Sequence, residues 1–214
     1  MDIPAARAGS GARPDCAASA DGGPCKERGL NLGILGGTFD PVHNAHLAMA
    51  HAALREIPVD QVIWVPTGAP GYRSAPVASG AHRLAMLRLA LAGEPRFSID
   101  ERELAPHASG YTVDTLRALR AERPADKLYL LIGGDQFAKF GAWREPEEIK
   151  RLAELAVFAR PQAEAGPREA LFVPMAPLAV SASEVRARAA RGEDVSGLVP
   201  EPVANYLRRH RLYS

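Results

Sequence analysis

Residues 32–54 read LGILGGTFDPVHNAHLAMAHAAL, a short apolar run that leads through a glycine pair into a helical pattern. The run LGIL predicts a buried strand. Gly36 and Gly37 remove side chains where the chain turns, so backbone N–H groups can approach a ligand closely. A helix is predicted to begin near Asn44, and the N–H groups at its start are suited to bind an anion.

The same alternation continues along the chain. Apolar runs recur at 62–65, 97–99, 128–132, 155–159 and 171–173, and helical periodicity covers 45–56, 80–92, 112–122, 183–191 and about 203–210. Short, fully apolar strands that alternate with helices indicate a parallel sheet covered on both faces. Right-handed crossovers then give a doubly wound, Rossmann-like α/β fold, whose ligands bind beyond the carboxyl ends of the strands.

Composition excludes several classes of protein. The 214 residues are 47% hydrophobic and 24% charged, which is typical of a globular domain rather than a disordered or fibrous chain. The net charge of +1 excludes a histone-like nucleic-acid binder. The chain has no run of 18 apolar residues and no secretory signal pattern, so we expect a cytoplasmic protein with no membrane partner.

Residues 1–29 differ from the rest, because they are mostly Ala, Gly, Pro and Ser. This composition predicts a disordered N-terminal extension followed by a single domain at 30–214. Cys16 and Cys25 both lie in the extension without accompanying histidines or acids. We therefore predict neither a disulfide framework nor a protein-held metal site.

Two histidines follow the glycine pair. His43 and His46 are three residues apart, so both can point into one space at the helix start and donate hydrogen bonds to phosphates. The segment fits neither G-x-G-x-x-G nor G-x-x-x-x-G-K-[ST]. That disfavours a dehydrogenase and a P-loop ATPase.

Two later segments carry further candidate residues. In SGYTVDTL, Tyr111 and Thr112 stand at a predicted helix start, where helix capping would by itself explain Thr112. After the fourth apolar run, Gly133 and Asp135 suit a nucleoside sugar, since a carboxylate accepts hydrogen bonds from hydroxyls. Trp143 follows, either as a core residue or as a ring that stacks on a ligand.

Residues 180–186, VSASEVR, form another candidate helix start. Ser183 is predicted to cap this helix, and Arg186 to lie on its first turn. An arginine beside helix N–H groups can clamp a phosphate group.

Two of these segments resemble signatures of one superfamily. Residues 36–46, GGTFDPVHNAH, resemble the (H/T)xGH signature of nucleotidyltransferases, in the form seen in bacterial nicotinate-nucleotide adenylyltransferases. VSASEVR resembles the second signature, I-S-[ST]-x-x-[IV]-R. The similarity covers about residues 31–213. The chain departs from the family at Ala45, usually Gly, at Tyr72, usually His, and at Arg144, often aromatic.

The resemblance implies a sheet of the nucleotidyltransferase type and adenylyl transfer from ATP to nicotinate mononucleotide, giving deamido-NAD and pyrophosphate. It implies Mg²⁺ held mainly by the phosphates of ATP, with no nucleic-acid partner. The implied catalytic residues are His46, His43 and Arg186. The implied ATP and phosphate contacts are Gly36, Gly37, Thr38, Arg73, Gly133, Asp135, Ser181 and Ser183, and the implied mononucleotide contacts are Phe39, Tyr111, Thr112 and Trp143.

Three alternatives stay open from the sequence. The acceptor could be nicotinamide mononucleotide, or the pantetheine phosphate of a related family that usually has Thr in place of His43. A nucleotide-sensing protein could keep the same pocket without turnover. The sequence also leaves open whether the protein is a monomer or a homo-oligomer.

Overall fold

The computed structural model describes residues 29–68, 75–159, 170–176 and 178–214, which surround a six-stranded parallel sheet. The strands lie in the order β3-β2-β1-β4-β5-β6. Because the chain builds outward from β1 to β3 and then returns to the other side of β1, the order reverses between β1 and β4. The strands are β1 Asn31–Gly37, β2 Gln61–Pro66, β3 Phe97–Ile99, β4 Lys127–Gly133, β5 Glu154–Ala159 and β6 Ala170–Pro174.

Helices cover both faces of this sheet. Successive residues of a strand point to opposite faces, so Ile34 and Leu35 of β1 belong to two different cores. The core around Ile34 packs against α3 and α5, and the core around Leu35 packs against α1, α2 and α7. The helices are α1 Asn44–Glu56, α2 Gly80–Leu91, α3 Thr112–Glu122, α4 Gly134–Phe137, α5 Pro146–Leu152, α6 Ala182–Ala190 and α7 Glu201–His210.

The predicted doubly wound fold is confirmed, and each predicted apolar run is a strand of the sheet to within two residues at either end. The sequence analysis missed α4 and α5, which lie in the segment that contains Trp143. The predicted extension and its two cysteines lie almost wholly outside the described residues, which begin at Gly29.

Candidate active site

A cavity of about 450 Å³ opens where the strand order reverses, at the carboxyl ends of β1 and β4. Doubly wound sheets bind their ligands at such a point, because the loops after the two central strands diverge there. The residues that the sequence predicted and that line this cavity are Gly36, Gly37, Thr38, His43, His46, Thr112, Gly133, Asp135, Trp143 and Ser181.

His43 and His46 lie together at the start of α1. His43 is the N-cap residue, and its ring stacks on that of His46 with centroids 3.7 Å apart. The backbone N–H of His43 donates to Nδ1 of His46 at 3.3 Å. Since that nitrogen accepts, the neutral His46 ring carries its proton on Nε2.

Both rings are neutral near pH 7. Burial lowers the pKa of His43 to about 4. Burial, and secondly the neighbouring His43, lower the pKa of His46 to about 3. The pair can therefore offer N–H donors to an anionic ligand, but at neutral pH neither ring transfers a proton readily.

The glycine pair keeps the cavity open above the end of β1. A Cβ added at Gly36 would meet no atom within 4 Å, so packing does not explain the glycine. Gly36 leaves free space beside the histidines, as expected where a ligand approaches the backbone. Ala45, which replaces the usual family glycine, also lines the cavity.

Phe39 does not face the cavity. It is 2% exposed, and its ring packs against that of His46 in an edge-on contact with the centroids 5.0 Å apart. The structure thus places Phe39 in the core, whereas the resemblance implied a contact with the mononucleotide. That contact stays a prediction.

Arg186 joins α6 to the turn that precedes α1. Its guanidinium donates to the backbone oxygen of Asp40 at 2.7 Å and to Ser183 Oγ at 3.3 Å. Ser181 caps α6, because its Oγ accepts from the N–H of Glu184 at 3.2 Å. The predicted cap at Ser183 is therefore wrong: Ser183 lies inside the first turn. Neither Ser183 nor Arg186 lines the cavity.

Trp143 lines the cavity and belongs to a group of aromatic residues beside it. Trp143 is half-buried and packs 5.5 Å from the ring of Phe140. Tyr111 is the N-cap residue of α3, and the Arg144 guanidinium lies 4.6 Å from its ring centre. We call Tyr111, Phe140 and Trp143 the aromatic wall. Thr112 is the first residue of α3 rather than its cap, so capping does not explain it.

Asp135 lies on the first turn of α4, directly after β4. One of its carboxylate oxygens accepts from the side-chain amide of Gln136 at 3.2 Å. Asp135 and Gly133 both line the cavity, on the side away from β3. Arg73, the other predicted phosphate contact, lies outside the described residues.

The sequence analysis missed one acid of the cavity. Glu103 is 8% exposed and lines the cavity, and one of its oxygens accepts from Thr115 Oγ1 at 2.5 Å. It follows β3 closely, and an acid beyond the carboxyl end of a strand is a signal that could have identified it.

Two negative findings concern metals and membranes. Within the described parts of the chain, no group of three or more His, Cys, Asp or Glu side chains could hold a metal ion. None of the helices described above is long and apolar enough to cross a membrane.

Comparisons with known proteins agree with this architecture. Residues 34–188 match the cytidylyltransferase-like family. Probable nicotinate-nucleotide adenylyltransferases of Bordetella petrii and Chromobacterium violaceum are 44% and 42% identical, each covering 85% of this chain and 98% of the relative. The structure of Plasmodium falciparum nicotinic acid mononucleotide adenylyltransferase complexed with NaAD superimposes with a TM-score of 0.72. It is 18% identical, and the match covers 86% of this chain and 97% of that one.

Proposed function

The chain belongs to the cytidylyltransferase-like family and, within it, to the nicotinate-nucleotide adenylyltransferases, and on that premise we propose how its cavity joins ATP to nicotinate mononucleotide. The products are deamido-NAD and pyrophosphate. The observation that carries the mechanism is the stacked, neutral pair of His43 and His46 at the start of α1, facing the cavity.

The reaction is a direct in-line displacement. An oxygen of the mononucleotide 5′-phosphate forms a bond to the α-phosphorus of ATP, and the bond from that phosphorus to the bridging oxygen of the β-phosphate breaks. The attacking oxygen is already anionic, so no general base is needed. This agrees with histidines whose pKa values lie well below 7.

His43 and His46 stabilise the charge that develops at the α-phosphate. Preorganised N–H donors are effective in such a role because they need no reorganisation during the reaction. The start of α1 adds the positive end of the helix dipole to this donor pair. Arg186, Ser181 and Ser183, with Arg73, are proposed to hold the departing pyrophosphate.

The two nucleosides occupy the two sides of the reversal point. Gly133 and Asp135 are proposed to hold the adenosine side, with the Asp135 carboxylate accepting from ribose hydroxyls. The aromatic wall and Thr112 are proposed to hold the mononucleotide, with Trp143 stacked on its ring. Gly133, Asp135, Thr112 and Trp143 line the cavity that contains the histidines, whereas Tyr111 and Phe140 do not line it.

Mg²⁺ is proposed to arrive with ATP. The described residues offer no cluster of their own that could hold a metal, so the donor set fits an ion that is carried by phosphate oxygens. Bound in this way, the ion would neutralise part of the triphosphate charge. A cytoplasmic location stays a prediction.

Pyrophosphate release tests the substrate assignment. ATP or CTP is supplied with nicotinate mononucleotide, nicotinamide mononucleotide or phosphopantetheine. We expect turnover with ATP, and kcat/KM at least about tenfold higher for the nicotinate than for the nicotinamide form. The nicotinate and nicotinamide groups have nearly the same shape. A carboxylate only accepts hydrogen bonds, and the N–H groups in the first turn of a helix such as α3 only donate them, so these groups favour the nicotinate form.

Each of the other outcomes would indicate a different function for this protein. Equal kcat/KM for the two pyridine mononucleotides would contradict the nicotinate assignment. Preferred turnover of phosphopantetheine would place the chain with the pantetheine-phosphate enzymes. Tight nucleotide binding without pyrophosphate release would indicate a sensing protein.

A further inference from the structure

The turn between β1 and α1 (residues 38–43) is held in an unfavourable backbone conformation. Phe39 has φ = +48°, in the left-handed region that side chains other than glycine seldom adopt. Such a conformation persists only where the surroundings enforce it. The contacts around Thr38 and Asp40 supply that enforcement.

Arg83 holds the first part of the turn through the backbone of Thr38. Its side chain is 2% exposed, and one guanidinium nitrogen donates to the backbone oxygens of Thr38 and Thr67, at 2.6 and 2.7 Å. A third bond runs from Nε to the oxygen of Ala78 at 3.3 Å. A buried arginine thus ties the turn to the end of β2.

Asp40 is the centre of the second part. It is 4% exposed, and its carboxylate accepts from the N–H groups of Val77 and Ala78, at 2.7 and 3.0 Å. The third donor is the hydroxyl of Tyr213, at 2.7 Å. Arg186 contacts the backbone oxygen of the same residue, so Asp40 connects the turn to three distant parts of the chain.

Tyr213, the last residue but one, belongs to this network by its packing as well as by its hydrogen bond. Its ring is half-buried against the core that contains α1 and α7. Burial, and then the bond to Asp40, raise the pKa of Tyr213 far above its usual range. The hydroxyl therefore stays protonated and remains a donor.

The link from Asp40 to the histidines is short and rigid. Only Pro41 and Val42 separate Asp40 from His43, and both are buried. His43 in turn fixes His46 through ring stacking and through its backbone N–H. A displacement of the Asp40 carboxylate is thus transmitted to both proposed phosphate donors and to Arg186.

We propose that Tyr213 is a positioning residue for adenylyl transfer, which acts through the Asp40 carboxylate to hold the β1–α1 turn and its histidines in place. The inference rests on the proposed function, since it assigns the histidines to the reaction. Tyr213 does not line the cavity, so it is proposed to act through Asp40.

The variant Tyr213→Phe tests this proposal, with Tyr206→Phe as its matched control. Tyr206 lies on α7, and its hydroxyl also bonds one side chain, Nδ1 of His82 at 2.9 Å, far along the chain from the turn. We expect Tyr213→Phe to lower kcat about five- to twentyfold, because small displacements of catalytic groups are costly. The KM values of Tyr213→Phe should stay within about twofold of wild type. For Tyr206→Phe, both kcat and KM should stay within that range.

The route through Asp40 has its own test. In an Asp40→Ala background, which lacks the acceptor of the Tyr213 hydroxyl, Tyr213→Phe should change kcat by less than about twofold, because residues that act through one network are not additive. The full effect in that background would contradict the proposed route. A kcat for Tyr213→Phe within twofold of wild type, or an equal fall in Tyr206→Phe, would overturn the proposal itself.

Hydrogen–deuterium exchange separates this inference from the assigned reaction. Tyr213→Phe should speed exchange in the peptide that covers residues 36–46, and Tyr206→Phe should not. This measurement needs no turnover, so it tests the positioning even if the acceptor were misassigned. Unchanged exchange in both variants would show that the hydroxyl does not hold the turn.

Discussion

The β1–α1 turn and the aromatic wall both belong to the proposed site, but different interactions hold them. Buried hydrogen bonds from Arg83, and to the carboxylate of Asp40, hold the turn. The aromatic wall packs against the core around Ile34, and the ion pairs around it are exposed, such as Arg117 with Glu145 at 2.5 Å, where both side chains are more than 40% exposed.

This difference corresponds to two kinds of task. Exposed ion pairs contribute little to stability, and Trp143 is only half-buried, so its ring can adjust to a ligand that it stacks on. Buried polar networks are costly to disturb, so the turn keeps one geometry. We infer that the turn supplies rate and the wall supplies affinity. The following variants test that division, from the largest expected effect to the smallest.

His46→Ala tests the turn and should lower kcat about 10²–10³-fold, or roughly 2.7–4 kcal/mol, because it removes a preorganised donor to the developing charge. The affinity for ATP should change much less. His51→Ala is the control, since His51 is an exposed residue of the same helix. A His46 variant with more than half of the wild-type kcat would remove this residue from the mechanism.

Trp143→Ala tests the wall. We expect kcat/KM to fall about three- to tenfold for nicotinate and nicotinamide mononucleotides alike, the size of one lost aromatic contact. Because stacking does not distinguish an acid from an amide, the ratio of the two values should be preserved. If the ratio fell to about one in this variant, the tryptophan rather than the backbone N–H groups of α3 would distinguish the acid from the amide.

The stability of the protein in acid tests the turn separately from the wall, because the turn carries the two histidines of low pKa. In the unfolded chain the histidines have a pKa near 6.5. In the folded protein the pKa is about 4 for His43 and about 3 for His46, so both stay neutral at a lower pH. The unfolded state therefore binds more protons between pH 6.5 and 4, and stability falls as the pH is lowered through that range. We expect a loss of about 2–3 kcal/mol per histidine by pH 4.5.

Denaturant melts at pH 7 and pH 4.5 measure this loss. The double variant His43→Asn with His46→Asn should show a smaller difference between the two pH values than wild type. His107→Asn, which changes an exposed histidine, is the control and should keep the wild-type difference. An equal difference in all three proteins would show that the histidine pair does not resist protonation.

Deletion of residues 1–28 should have the smallest effect. The segment has little apolar surface to bury, so kcat and Tm should stay near the wild-type values. Thermal melts and the pyrophosphate assay check both quantities. A clear fall in either would show that the segment contributes to the fold or to the site, and Cys16 and Cys25 would then need an explanation.

Much of the fold was predictable because its signals are local. Apolar runs identified the strands of the described chain, and 3.6-residue periodicity identified α1, α2, α3, α6 and α7. The short helices α4 and α5 were missed because four to seven residues are too few for a periodic pattern to stand out. The pair of His43 and His46 was found for the same local reason, since one helix start carries both residues.

What only the tertiary structure decided depends on burial and on contacts between distant residues. No local pattern pairs Asp40 with Tyr213, which lie 173 residues apart, or Asp40 with Arg186, which lie 146 apart. The low pKa values of the histidines arise from the groups that the fold packs around them, and the sequence contains no sign of that packing. The sequence by itself determined the strands, most helices and which residues are candidates to bind phosphate. The fold determined which of them meet, because hydrogen bonds and desolvation act over ångströms in space, whatever the separation along the chain.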